Sequence, residues 1–224
     1  WGVQDWPIDI ANPKPVGPQN TAAWLARLRT ALTSECQLVE EAIAVEQGKF
    51  ARADLLAMYG RSAAASGEFG QSAAAYAMFL SEFGTTHPYA EQIIVRLGRS
   101  LAPLDLDSVE VHHTETGAHY RPAWRMAKEA SSERLRLAIG AYELLISVTK
   151  DRQQADKTLF ELGWVHLALD DWTASTAAWD RAADAAKGLP AGADALWHAA
   201  DNLAWTEQPA AASERLRRLM TEYP

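Results

Sequence analysis

The sequence predicts an all-α fold, a solenoid of antiparallel helix hairpins, on three observations. Alanine supplies roughly a fifth of the 224 residues, and it is the best helix former because it loses no side-chain entropy on entering a helix. Large and small apolar residues recur with a period of about 37 from residue 50 onward, the signature of stacked supersecondary units. Finally, 48% of the residues are hydrophobic, enough to bury a sizeable core, yet charges, Pro or Gly interrupt every apolar run short of the roughly 18 residues a membrane span needs. No direct membrane insertion is expected.

Residues 1–20 are predicted to be an extended leader. Pro7, Pro13, Pro15 and Pro18 each fix φ, remove an amide donor and disfavour helix in the residue before them. Trp1, Trp6, Ile8 and Ile10 are too apolar for a solvated linker, so the strip is expected to lie against the helical body. The chain opens on Trp rather than Met and is expected to be a piece of a larger protein.

A long N-terminal helix is predicted over 21–49, with Asn20 or Thr21 as its cap. Leu25, Leu28, Leu32, Cys36, Val39 and Ile43 recur at three- and four-residue steps and form its core face. Cys36, the single cysteine, excludes an internal disulfide, and its place in the stripe makes it a small buried hydrophobe rather than a reactive thiol.

Helical repeats are predicted over 50–224, as units of about 50–89, 90–150, 155–190 and 193–224. Leu162, Gly163, His166, Trp172, Ser175, Trp179 and Ala182 map onto Ala199, Ala200, Leu203, Pro209, Ala212, Leu216 and Leu219 one period later. Gly60, Gly98, Gly163 and Ala200 are expected to let a partner helix approach closely, and Tyr76, Tyr142, Trp179 and Leu216 to fill the space between hairpins. Neither helix of a pair can bury its stripe alone, so the pairs must stack.

With Leu162-Gly163, Ser175, Trp179, Ala182 and the closing Pro224, these units resemble the tetratricopeptide repeat over about residues 50–224. They depart from it in being longer than 34 residues and in placing Ala63, Leu101, His166 and Leu203 where the first helix usually carries an aromatic residue. The stretch from Ala75 to Leu101 is also similar to repeats of bacterial envelope proteins, the outer-membrane assembly lipoprotein and Tol-Pal-associated proteins, which implies a periplasmic or envelope setting. The resemblance implies a right-handed superhelix whose first helices line a concave groove for a protein or peptide. The groove positions hold Ala57, Arg61, Ala64, Val95, Arg99, Phe160, Trp164, Leu167, Trp197, Asp201 and Trp205. Of these, Arg61, Arg99, Phe160, Trp164, Trp197, Asp201 and Trp205 are the candidate partner contacts, because Arg and aromatic side chains dominate binding hot spots. Trp residues packed onto a neighbouring repeat are the alternative.

Tyr76 and Tyr142 are 66 residues apart where one period is expected, which places an insertion at 103–131. Loops of that length inside compact domains are uncommon and usually functional or disordered. Val109 and Val111 alternate as in a short strand or hairpin edge. Tyr120 and Trp124 are expected to pin the segment to the helices, and Arg121 and Arg125 to meet an acidic partner or solvent. His112, His113 and His119 are metal-ligand types, with His113 and His119 bracketing a turn, but their spacing matches no specific metal motif.

The formal charge of −8, from 21 basic against 29 acidic residues, argues against nucleic acid as the partner. No Gly-rich phosphate loop, His-Glu-x-x-His or Gly-x-Ser-x-Gly is present. The expectation is therefore a non-enzymatic interaction scaffold without a cofactor. The alternatives are a metal-dependent enzyme built on the insertion and a passive spacer in a longer array bound to the rest of its own chain.

Overall fold

A computed structural model describes residues 20–46, 48–114, 117–124 and 132–223, with only the backbone described over 104–124. The leader expected over 1–20 lies, but for Asn20, outside the described residues. Among the described residues ten helices pack in chain order: α1 (Thr21–Ala31), α2 (Thr33–Ala44), α3 (Arg52–Ala65), α4 (Phe69–Phe83), α5 (Ala90–Leu101), α6 (Ser132–Val148), α7 (Arg152–Ala168), α8 (Trp172–Ala185), α9 (Pro190–Trp205) and α10 (Pro209–Glu222). Between α5 and α6 the chain forms an antiparallel hairpin, β1 (Leu104–Thr114) with β2 (Gly117–Trp124). The architecture is a helical, repeat-like stack with this one hairpin among the described residues.

The expected single helix over 21–49 is divided. Thr33 donates its hydroxyl to the carbonyls of Arg29 and Thr30, at 3.2 and 2.8 Å, and Thr30 donates to Ala26 at 3.0 Å. Such back-bonding bends helices, and Leu32 sits at φ −114°, ψ 30° between α1 and α2 while backbone bonds still cross the bend. The helix also stops at Ala44 rather than 49. The Asn20 side chain makes no capping bond. The core stripe Leu25, Leu28, Leu32, Val39 and Ile43 is buried, and Cys36 is half-buried. Burial pushes the Cys36 thiol above its ordinary range, which leaves it a poor nucleophile.

From α3 onward the helices pair through a repeated contact between a small and a large residue. A Cβ on Gly60 would lie 2.5 Å from Cε1 of Tyr76, one on Gly98 2.8 Å from Cε1 of Tyr142, and one on Gly163 2.6 Å from Cε2 of Trp179. Each aromatic ring therefore occupies the space a methyl group would take, and the two backbones approach as far as the ring allows. Gly140 of α6 receives Trp24 of α1 in the same way, which seats the N-terminal helices on the stack. In the last pair Leu216 stands where the aromatic stood, and it is 36% exposed.

The turns inside three of the pairs also match. Gly67, Asp170 and Glu207 adopt φ of 79°, 58° and 59°. The amide of the next residue closes back in each case: Glu68 to Ala63, Asp171 to His166 and Gln208 to Leu203, at 2.8 to 3.0 Å. This is the left-handed helix stop that satisfies free carbonyls at a C-terminus. It requires a left-handed residue at one place in each turn, which glycine supplies only in the first. Asp171 then caps α8, accepting from the Ala174 amide at 3.0 Å.

Two rows result. Second helices are joined by ion pairs between successive units: Glu143 of α6 with Arg181 of α8 at 3.0 Å, and Asp180 and Asp184 of α8 with Arg215 and Arg218 of α10, both at 2.8 Å. Partly exposed pairs contribute little each, so their effect is to fix the register of one unit on the next. The helices α1 and α2 lie over α4, and Arg52 of α3 clamps Glu40 of α2 and Glu82 of α4 at 2.6 Å each. First helices form the other row, touching through Arg99 of α5 and Glu161 of α7 at 2.6 Å and through Phe160 of α7 and His198 of α9, whose rings are 5.4 Å apart.

Candidate functional site

The row of first helices, α3, α5, α7 and α9, carries the residues singled out in the sequence, and the structure gives them different environments. Arg61 is exposed on α3. Arg99 is exposed on α5, with its Nε and one terminal nitrogen bonded to the buried carboxylate of Glu161, which holds the guanidinium charged. Phe160 is half-buried. Trp197 is 56% exposed, and Asp201 and Trp205 lie on the same helix, partly buried and engaged in contacts of their own.

Trp164 is 6% exposed and packs edge-on against Trp179 and His198, with ring centroids 5.0 and 4.8 Å away. Leu167 is buried as well. Both belong to the core that joins α7 to α8 and α9. Trp164 thus takes the alternative place that sequence left open, between neighbouring helices. One turn of α7 separates it from Phe160, and that turn is enough to pass from the wedge between helices to the rim.

Between α7 and α9, floored by Ala182 of α8 and by Ala186 just after it, lies a cavity of about 370 Å³. Arg99, Lys157, Phe160 and Glu161 line one side and Asp194 the other. Asp156 also lines it; that residue is 5% exposed, and its Oδ1 is buried without a hydrogen-bond partner among the described residues. The sequence reading found Arg99 and Phe160 here and missed Asp156, Lys157, Glu161 and Asp194. The signal was present in the spacing: Asp156 precedes Phe160 by four residues and Asp194 precedes Trp197 by three, so each shares a helix face with its aromatic neighbour.

The hairpin backbone puts His112 opposite His119, and His113 opposite Ala118. His113 and His119, the metal-ligand types named on either side of a turn, do not stand directly opposite each other in this register. The ladder slips between Asp105 and Val109, next to Pro122, which has no amide to donate. Side chains of Tyr120, Arg121 and Trp124, and all of Arg125, lie outside the described residues. Among described residues no group of three or more His, Cys, Asp and Glu could hold a metal ion, and no helix is long and apolar enough to cross a membrane.

His166 is a titratable group whose protonation the fold resists. Burial pulls its pKa below the ordinary 6.5, opposed in part by the carboxylates of Asp171, 3.8 Å away, and Glu143, and reinforced by Arg181. Above the unfolded value the ring is neutral in both states, so it contributes nothing to pH dependence. As pH falls through 6.5 the unfolded chain takes up a proton that the folded chain resists, and stability drops until the folded pKa is reached. Denaturant melts at about pH 7.5 and pH 5.5 should show a smaller loss in His166→Gln than in the unaltered protein; equal losses would mean the ring is solvated.

Comparison with known proteins returns no matching family model and no matching curated relative, so the reading of this face rests on its own geometry.

Proposed function

We propose that the chain is a protein-interaction scaffold of the tetratricopeptide type, holding a peptide along the row of first helices. The observation that carries this reading is the recess on the first-helix row, one helix turn along α9 from an exposed aromatic residue. The second-helix row is tied by ion pairs and partly covered by α1 and α2. The first-helix row presents a cavity of about 370 Å³, a size within the range of ligand clefts, whose wall includes Asp194, one turn of α9 before the exposed Trp197. A rigid exposed Trp next to a recess with Arg and Phe on its wall is the composition of an interface hot spot.

Selection of peptides from a displayed library against the whole chain tests the reading. Peptides that bind should lose about tenfold or more in affinity on Trp197→Ala, with the unfolding midpoint unchanged because the side chain is largely in solvent. Selected peptides that ignore Trp197→Ala, or the absence of any selected peptide, would remove the reading. Trp164→Ala is not a substitute, since that residue is core and its loss acts on packing.

A further inference from the structure

We propose that the cavity between α7 and α9 receives a basic side chain, lysine or arginine, of the bound peptide. The inference rests on the scaffold reading for the origin of that side chain, and on the cavity's own chemistry for its charge. Asp156 is 5% exposed and its Oδ1 has no hydrogen-bond partner among the described residues. A buried carboxylate oxygen left without a donor is costly, and an ionised carboxylate can only accept, so whatever completes the site must donate. Asp194 stands exposed on the opposite wall and adds a second negative charge.

The positive groups in the lining do not compensate. Arg99 directs its Nε and one terminal nitrogen at Glu161, so its fork is committed to a carboxylate already in the protein. Lys157 is exposed and forms no ion pair among the described residues, so the lining sets Arg99 and Lys157 against Asp156, Glu161 and Asp194, two positive charges against three negative. An anionic guest would meet a lining of net negative charge, whereas an ammonium or guanidinium would supply the missing donor and lie beside the Phe160 ring, whose face attracts cations. The net charge of −8 favours encounter with a basic peptide for the same reason.

The test uses the full chain and two short probes, acetyl-Gly-Gly-Lys-Gly-Gly-amide and the same peptide with norleucine for lysine, followed by amide chemical shifts. The lysine probe should give saturable shifts confined to residues around Asp156 and Asp194, at an affinity about tenfold or more above that of the norleucine probe. Asp156→Asn should abolish that preference. Asp194→Asn, at an exposed position that cannot unsettle the fold, should reduce it about threefold. Equal response to both probes, a preference that survives Asp156→Asn, or one that Asp194→Asn leaves undiminished, would overturn the inference. The two readings fail separately. Library peptides that need Trp197 but tolerate norleucine at every basic position would leave the scaffold and remove the basic pocket. A lysine preference at Asp156 without any selected peptide would do the reverse.

Discussion

Trp179→Ala is expected to lower the free energy of unfolding by about 3–5 kcal/mol, the range for deleting a large aromatic side chain from a packed interior. Trp179 is 1% exposed and touches three kinds of neighbour at once. Its ring fills the place of a missing Cβ at Gly163 and stacks edge-on with Trp164 at 5.0 Å. Its indole N–H donates to the Phe160 carbonyl at 3.2 Å. The substitution opens a cavity where α7, α8 and α9 meet, and a close helix approach leaves those backbones little room to collapse into it. Equilibrium denaturation should show the loss as a lower midpoint. The counterpart Trp197→Ala, at 56% exposure, should stay within about 0.5 kcal/mol of the unaltered protein. A Trp179→Ala loss below about 1.5 kcal/mol would mean that the indole is not the keystone of this joint.

The same joint shows why helices α3 to α10 were legible in the sequence. A pair of helices brought close by a glycine needs a large flat side chain at a fixed place on the partner, and Gly60 with Tyr76 and Gly163 with Trp179 stand 16 residues apart in both cases. That spacing is set by a helix, a turn and a helix, so it survives in the letters. The bend at Leu32 did not survive in this way. It depends on two threonine hydroxyls choosing backbone acceptors over solvent, and Thr is compatible with either choice. The heptad-like stripe runs through the bend unchanged.

The site was legible in position and not in environment. Phe160 and Trp197 are equivalent residues, 37 apart. Phe160 is half-buried because His198 of the next first helix leans on its ring, and no further first helix follows Trp197 among the described residues. Exposure at a repeat position is thus a property of the neighbour as much as of the residue. Asp156 escaped notice for a related reason. A lone Asp in the first turns of a helix reads as a solvated charge, and only the approach of α9 and the floor of α8 turn it into a buried acceptor facing a cavity. Arg99 shows the reverse change, from an open fork expected to bind a partner's carboxylate to one occupied by Glu161.

Gly163→Ala separates close packing from helix propensity by the sign of its effect. In an exposed helix interior, glycine to alanine gains about 1 kcal/mol because the unfolded chain loses freedom and the helix former improves. At Gly163 the added methyl carbon would sit 2.6 Å from Cδ1 and Cε2 of a rigid, buried indole that has no empty space to enter. Overpacking of this kind costs about 1–3 kcal/mol, so against the propensity gain of about 1 kcal/mol the net change is expected to be a loss of up to about 2 kcal/mol. Gly70→Ala is the control: its methyl would lie 3.2 Å from the Glu35 carboxylate, the far end of a partly exposed and flexible side chain, and stability should be unchanged or higher. Shrinking the partner provides the second check. In a Trp179→Leu background the methyl gains room, and adding Gly163→Ala should cost less than it does in the unaltered protein, a coupling of about 1 kcal/mol or more in a double-mutant cycle. Additive losses would mean that the methyl strains something other than the indole, and a gain from Gly163→Ala alone would mean that α7 and α8 do not approach as closely as the glycine permits.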